Sequence, residues 1–160
     1  MMRISPVSSR FMAALVWSAM LMFTASAFPA APAASIPLDK LVQPADFAAQ
    51  LKDASASKPL MLHVGFRTMF DQAHIPGSEY VGPGNTGAGL QGLRERVASL
   101  PKGTAIMIYC GCCPWSRCPN IAAAYDLLIE LGFTGVTAMQ INDNFGTDWV
   151  EKGFPTAKTP

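Results

Sequence analysis

Residues 105–131 read AIMIYCGCCPWSRCPNIAAAYDLLIEL, and no other part of the chain indicates the class of fold as clearly. The first five, 105–109, are apolar and bounded by turn residues, the pattern of a buried strand. Residues 121–131 have apolar side chains at helical spacing and precede Gly132, which favours a helix end. The loop between them holds all four cysteines of the chain: Cys110, Cys112, Cys113 and Cys118.

Segments on either side repeat this alternation of strand and helix. Short apolar runs predict further strands at residues 59–64, 79–81 and 136–139. Apolar spacing and helix-stop residues predict helices at 44–51, 67–73, 90–100 and 143–152. Strands that alternate with helices in this way form βαβ units. We therefore predict a single α/β domain with a central, mainly parallel sheet flanked by helices on both faces.

The composition excludes two classes of protein. The chain has 160 residues, with 12 Lys plus Arg and 11 Asp plus Glu, so its formal net charge is +1. A nucleic-acid binder would show a basic patch in its composition, and this sequence has no basic block. Half of the residues are hydrophobic and 14% are charged, which excludes a disordered chain.

The amino terminus has the pattern of a secretory signal peptide. Arg3 and Arg10 precede an uncharged apolar run at 11–23, and the small residues Ala25-Ser26-Ala27 follow. We therefore expect residues 1–27 to be a signal peptide that is cleaved near Ala27. Retention as a membrane anchor is the alternative, since the apolar run only just reaches the roughly 20 residues that a span needs.

The remaining chain divides into a short tether and a domain. Residues 28–37 are rich in Pro and Ala and predict a tether, and residues 38–157 hold the predicted domain. Cleavage would release the protein into the bacterial periplasm or the medium, so contact with the membrane is expected only if the signal segment stays uncleaved. Disulfides form and persist in these compartments, which bears on the cysteines.

The cysteine loop lies where an open α/β sheet binds its ligands, at the carboxyl end of a strand. A helix begins near Pro119 or Asn120, and its positive end favours a thiolate or a bound anion in the loop. A thiolate in such a place has a lowered pKa and is nucleophilic at neutral pH. Arg117 adds a cation that suits an anionic substrate. The pattern indicates a nucleophilic thiol site that attracts anions.

Two other interpretations of the loop stay open. Clustered cysteines in an exported protein are often structural disulfides, and Cys112 or Cys113 could bridge to Cys118. A bridge across so few residues stabilises little, however. A soft ion such as Cu(I) could bind Cys112, Cys113 and Cys118, although their spacing matches no standard zinc site.

Several landmarks, in order, resemble the rhodanese-like domains, an α/β family that carries sulfane sulfur as a cysteine persulfide. Residues 73–78, AHIPGS, resemble the family's G-H-I-P-G-A turn, and residues 106–110 resemble the strand that ends at the active-site cysteine. Residues 131–133, Val136, Trp149 and 153–155 resemble its L-G-F, V and W…G-x-P tail. The similarity runs from about Leu60 to Pro155.

The resemblance implies a sulfurtransferase in which Cys110 is the nucleophile and no cofactor is required. A donor such as thiosulfate would load Cys110 as a persulfide, and a thiol or cyanide would accept the sulfur. Arg117 and Trp115 are the candidates for substrate binding. Cys112, Cys113 or Cys118 could resolve the persulfide as a disulfide, so the loop could also act in thiol–disulfide exchange.

The loop also departs from the family pattern. Family members have a compact C-x-x-x-x-R loop, whereas Arg117 lies seven residues after Cys110 here. The family's early D-V-R corresponds to residues 63–65, HVG. The chain thus resembles a divergent exported bacterial subgroup with a C-G-C-C-P-W loop. For such a loop, a redox or soft-metal-binding module without sulfurtransferase activity is the alternative function.

Overall fold

Five parallel strands form the sheet of this computed structural model, which describes Met1 and residues 36–159. The strands are β1 (Leu41–Val42), β2 (Leu60–His63), β3 (Glu79–Tyr80), β4 (Ile106–Tyr109) and β5 (Val136–Met139). Their order across the sheet is β1-β5-β4-β2-β3, so β4 is central. The predicted signal peptide and most of the predicted tether lie outside the described residues.

Four α-helices connect the strands: α1 (Pro44–Lys52), α2 (Arg67–Gln72), α3 (Gly87–Val97) and α4 (Pro119–Glu130). Successive residues of β4 point to opposite faces of the sheet, because the side chains of a strand alternate. Ile106 and Ile108 belong to one buried cluster and Met107 and Tyr109 to the other. The predicted single α/β domain with a parallel sheet is confirmed.

Different helices cover the two faces. Leu93 of α3 and Leu128 of α4 are fully buried in the cluster that contains Ile106 and Ile108. Phe47 of α1 packs in the other cluster, with Trp149 of the carboxyl-terminal segment. Helices on both faces are thus confirmed. Among the described residues, no helix combines the length and the apolar character needed to cross a membrane.

Two predicted helices differ in the structure. α3 begins at Gly87 rather than at residue 90, because the Oγ1 of Thr86 accepts a hydrogen bond from the Gly89 amide (3.0 Å) and caps the helix. The predicted helix at 143–152 is a single π-helical turn, Gly146–Val150. The Asn144 side chain accepts from the Thr147 amide (3.0 Å), an interaction that competes with a regular helix.

Candidate functional site

Cys110 follows β4 directly, at the carboxyl edge of the sheet. Strand β4 lies between β5 and β2, so Cys110 lies at the centre of that edge. Only 1% of its surface is exposed. The structure therefore places Cys110 where the sequence predicts it, buried at a strand end of the kind that binds ligands in open α/β sheets.

The loop after Cys110 is fastened to the segment that follows β5. Gly111 has a φ of 77°, and a Cβ at this position would lie 2.5 Å from the Cβ of Phe145. Its carbonyl accepts a hydrogen bond from the Phe145 amide (3.0 Å), and the Trp115 amide donates to the Ile141 carbonyl (2.9 Å). Both the backbone conformation and the close approach to Phe145 require glycine at 111.

The loop and the start of α4 bring three sulfur atoms together. The Sγ atoms of Cys110, Cys112 and Cys118 all lie within 4.8 Å of one another. The Sγ atom of Cys112 lies 3.1 Å from that of Cys110 and 3.3 Å from that of Cys113. None of the four cysteines forms a disulfide. Cys118 is the N-cap residue of α4. The sulfurs of Cys110 and Cys112 are thus in direct contact.

Cys112 carries the thiol that ionises most readily. A hydrogen bond from Cys110 lowers its pKa to about 5, with further lowering by Cys113 and Asn120 against the opposing effect of partial burial. A thiolate accepts hydrogen bonds and is stabilised by them, which favours the charged form. Cys112 is therefore a thiolate at neutral pH, surrounded by donors.

The other thiols respond to the same network. Hydrogen bonds to Cys112 and Cys118, followed by burial, raise the pKa of Cys110, so this residue holds its proton. Cys110 and the Ile121 amide of α4 together lower the pKa of Cys118 to about 7, against the opposing effect of burial. Burial raises the pKa of Cys113 to about 12. The helix terminus thus acts on Cys118, whereas the sequence analysis expected it to act on the loop as a whole.

Asn120 is a site residue that the sequence analysis missed. It is 1% exposed, and its Nδ2 lies 3.5 Å from the Sγ of Cys110 and 3.4 Å from that of Cys112. Its Oδ1 accepts from the Asn85 amide (3.2 Å), which fixes the orientation of the amide. Asn120 therefore directs its donors at both sulfurs.

His63 and Gly65 complete the surroundings of Cys110. The Gly65 amide donates to Nδ1 of His63 (3.3 Å), which leaves the proton on Nε2, and Nε2 donates to the Cys110 carbonyl (3.1 Å). Burial lowers the pKa of His63 to about 4, so the ring is neutral at pH 7. A Cβ on Gly65 would lie 2.9 Å from the Sγ of Cys110. Glycine at 65 thus leaves the space that the thiol occupies.

A cavity of about 110 Å³ opens beside Cys110. The described residues of its wall include His63, Met69, Gln72, Cys110, Phe145 and Val150, and none of them is a lysine, an arginine or a carboxylate. Since His63 is neutral at pH 7, the wall carries no net positive charge. The cavity can therefore hold a small group beside the thiol, but it supplies no cation to an anionic ligand.

The two residues predicted to bind substrate lie in a short 3₁₀ turn, Trp115–Arg117. Trp115 is half-buried and packs on the hydrophobic cluster that contains Cys110 and Cys118. The Arg117 side chain is exposed and makes no hydrogen bond or ion pair with any described residue. The structure thus brings Trp115 toward the cysteines and leaves Arg117 at the surface.

Comparisons by sequence match this chain to no family model and to no curated protein. Solved structures do match. The BH2092 protein from Bacillus halodurans is similar with a TM-score of 0.57 and 20% identity, over 76% of this chain and 79% of that chain.

The rhodanese-like domain of the Alr3790 protein from Anabaena sp. has a TM-score of 0.55 and 20% identity, over 74% of this chain and 79% of that chain. A thiosulfate sulfurtransferase from Pseudomonas aeruginosa has a TM-score of 0.52 and 22% identity, over 75% of this chain and 20% of that chain. These similarities confirm, at the level of the fold, the resemblance that the motifs predict. The chain has the rhodanese-like fold.

Proposed function

We propose that this chain is a sulfurtransferase of the rhodanese type, which carries sulfane sulfur as a persulfide on Cys110. The observation that most supports the proposal is the position of this thiol, buried at the end of the central strand and beside a cavity. The rhodanese-like domain and the thiosulfate sulfurtransferase with similar folds support the same class of reaction.

Loading of the persulfide requires Cys110 to lose its proton. The Cys112 thiolate, 3.1 Å away, is the base, and it takes the proton as the Cys110 sulfur attacks, because the raised pKa of Cys110 disfavours a free thiolate there. The Cys110 sulfur bonds to the outer sulfur of thiosulfate, the S–S bond of the donor breaks, and sulfite leaves with the bonding electrons. The products are a Cys110 persulfide anion, a protonated Cys112 and sulfite.

Unloading reverses the roles of the two thiols. An acceptor thiolate or cyanide attacks the outer sulfur of the persulfide and departs with it as a persulfide or thiocyanate. Cys110 leaves as a thiolate and regains the proton from Cys112. Because the described wall of the cavity has no lysine or arginine, we expect dianionic thiosulfate to bind there weakly and to load Cys110 only at a high concentration.

A second outcome is internal resolution. Cys112 first gives its proton to the outer sulfur of the Cys110 persulfide, its thiolate then attacks the inner sulfur, and hydrosulfide leaves with that proton, so a disulfide joins Cys110 and Cys112. Among the three candidates for resolution we favour Cys112, since its Sγ lies 3.1 Å from that of Cys110 and its thiol ionises most readily. External reduction of this disulfide would restore the two thiols.

We also propose that residues 1–27 direct export, on the evidence of their sequence alone. Expression in a bacterial host and amino-terminal sequencing of the periplasmic fraction test this point. A mature chain that begins at Phe28 is expected, and a full-length chain in the membrane fraction would overturn the proposal.

The activity is tested by thiocyanate formation from thiosulfate and cyanide. Cys110→Ser should abolish it, because no persulfide can form. Cys112→Ser should slow loading by about 100-fold, the lower end of what a general base contributes. Ser116→Ala removes an exposed hydroxyl from the same loop and serves as the control, with an unchanged rate. Full activity of Cys110→Ser would refute the assignment.

A further inference from the structure

We propose that Cys110, Cys112 and Cys118 form a binding site for one Cu(I) ion. Their Sγ atoms lie within 4.8 Å of one another, so one ion between them can reach all three. The residues come from three parts of the fold: the end of β4, the loop and the N-cap of α4. Cys110 and Cys118 are 1% and 9% exposed, so two of the three ligands are shielded from water, and the partly exposed Cys112 leaves the ion a way in.

The ligand set favours Cu(I) over Zn(II). Thiolates are soft ligands that suit both ions, but zinc in structural sites takes four ligands in a tetrahedral arrangement. His63 is no fourth ligand, because Nε2 donates to the Cys110 carbonyl and Nδ1 accepts from the Gly65 amide. Cys113 is not a member of the compact group of sulfurs. Three sulfurs without a fourth ligand suit an ion that accepts a low coordination number.

The distances are close to those of a metal-bound trio. Three sulfurs arranged in a plane around an ion, at metal–sulfur bonds of about 2.3 Å, lie about 4.0 Å apart. The Cys110–Cys112 pair, at 3.1 Å, has to widen by about 1 Å, a rotation about the side-chain bonds. The composition of the trio differs from that considered from the sequence, since Cys110 takes the place of Cys113.

The surroundings stabilise the negative charge of such a site. Three thiolates and one monovalent cation leave two negative charges in a buried place. The Nδ2 of Asn120 lies 3.5 Å and 3.4 Å from the sulfurs of Cys110 and Cys112, and the Ile121 amide in the first turn of α4 donates to Cys118. Each coordinating thiol loses its proton on binding, so affinity for Cu(I) rises with pH.

The copper site does not depend on the sulfurtransferase activity, because it requires only the three thiols. The two functions compete for Cys110: a bound ion occupies the sulfur that would attack the donor. Cys118 distinguishes the two functions, because it belongs to the metal trio whereas no bond of the loading step forms or breaks at its sulfur.

The experiment is an anaerobic titration of the reduced, metal-free full-length chain with Cu(I), in competition with bicinchoninate. One ion per chain is expected. Cys118→Ser should weaken binding at least 100-fold, and Cys113→Ser, which removes a thiol from the same loop but outside the trio, should change it less than threefold. X-ray absorption of the complex should show three sulfur ligands, and circular dichroism checks that each variant is folded.

Three outcomes would overturn the proposal. The first is a wild-type chain that binds no Cu(I) in competition with the chelator. The second is a Cys113→Ser variant that loses as much affinity as Cys118→Ser. The third is displacement of the copper by an equal concentration of Zn(II). Loss of copper binding in a Cys118→Ser chain that still loads sulfur from thiosulfate would support both functions separately.

Discussion

The buried amide of Asn120 is one of the donors that lower the pKa of Cys112, and Asn120→Leu tests its contribution directly. Leucine has nearly the same size, but it lacks the donor that lies 3.4 Å from the Sγ of Cys112. The Asn85 amide also loses its acceptor, but Asn85 is exposed and water can take that place. The variant thus removes mainly the hydrogen bonds to sulfur.

The expected rise in the pKa of Cys112 follows from the free energy of one hydrogen bond to a charged group. Such a bond contributes about 1.5–3 kcal/mol, and the long N–H···S distance places this one near the lower limit. Since one pH unit corresponds to about 1.4 kcal/mol, the pKa of Cys112 should rise by about one pH unit. At pH 5, where half of Cys112 is ionised in the native protein, the thiolate fraction should fall about fivefold.

The assay is the rate of alkylation by iodoacetamide between pH 4 and 8, with the modified cysteine located by tandem mass spectrometry. Trypsin cuts after Arg117 and separates Cys118 from the other three cysteines. Asn142→Leu makes the same chemical change at an exposed position and should leave the pH profile of Cys112 unaltered. An unshifted profile in Asn120→Leu, or an equal shift in Asn142→Leu, would refute the reasoning.

Three further predictions concern the rest of the site. Gly65→Ala should lower the free energy of unfolding by about 1–3 kcal/mol and slow sulfur loading, because the new Cβ would lie 2.9 Å from the Sγ of Cys110. A variant with the wild-type stability in a denaturant titration and the wild-type rate of loading would contradict this. Burial lowers the pKa of His63 from 6.5 to about 4. As the pH falls, His63 is therefore protonated in the unfolded chain before it is protonated in the folded chain. The free energy of unfolding should fall by up to about 3 kcal/mol between pH 6.5 and pH 4. His63→Gln should flatten this part of the unfolding profile, and an equally steep profile would count against it. Arg117→Gln should slow loading from thiosulfate up to about fivefold in low salt and not in high salt, as expected of an exposed charge; an effect that persists in high salt would show direct contact with the donor.

The sequence predicted the fold well where a segment has a strong apolar period of its own. β4 and α4 are such segments, and the structure has them at nearly the predicted residues. The segment at 143–152 was predicted as a helix from its apolar spacing, but the side chains of Asn144 and Asp148 bind nearby amides and leave one π-helical turn. β1 has two residues, and its pairing with β5 exists only in the folded sheet.

The candidate site was predictable only in its local part. Cys110 follows the strongest strand of the chain, so its position could be read from the sequence. His63 is 47 residues away, and it reaches the Cys110 carbonyl because β2 pairs with β4 in a register that sets His63 beside Tyr109. Strand order and register are not encoded in the residues around Cys110. The one signal was HVG at the position of the family's D-V-R, which places a histidine at the end of a strand and a glycine just after it.

The proposal that Cys110 carries sulfur is tested most directly by the intact mass of the reduced chain before and after thiosulfate, with Cys110→Ser measured alongside. We predict a gain of one sulfur atom in the native chain, its removal by cyanide, and no gain in the variant. A native chain that gains no sulfur, or a variant that gains as much, would contradict the persulfide mechanism.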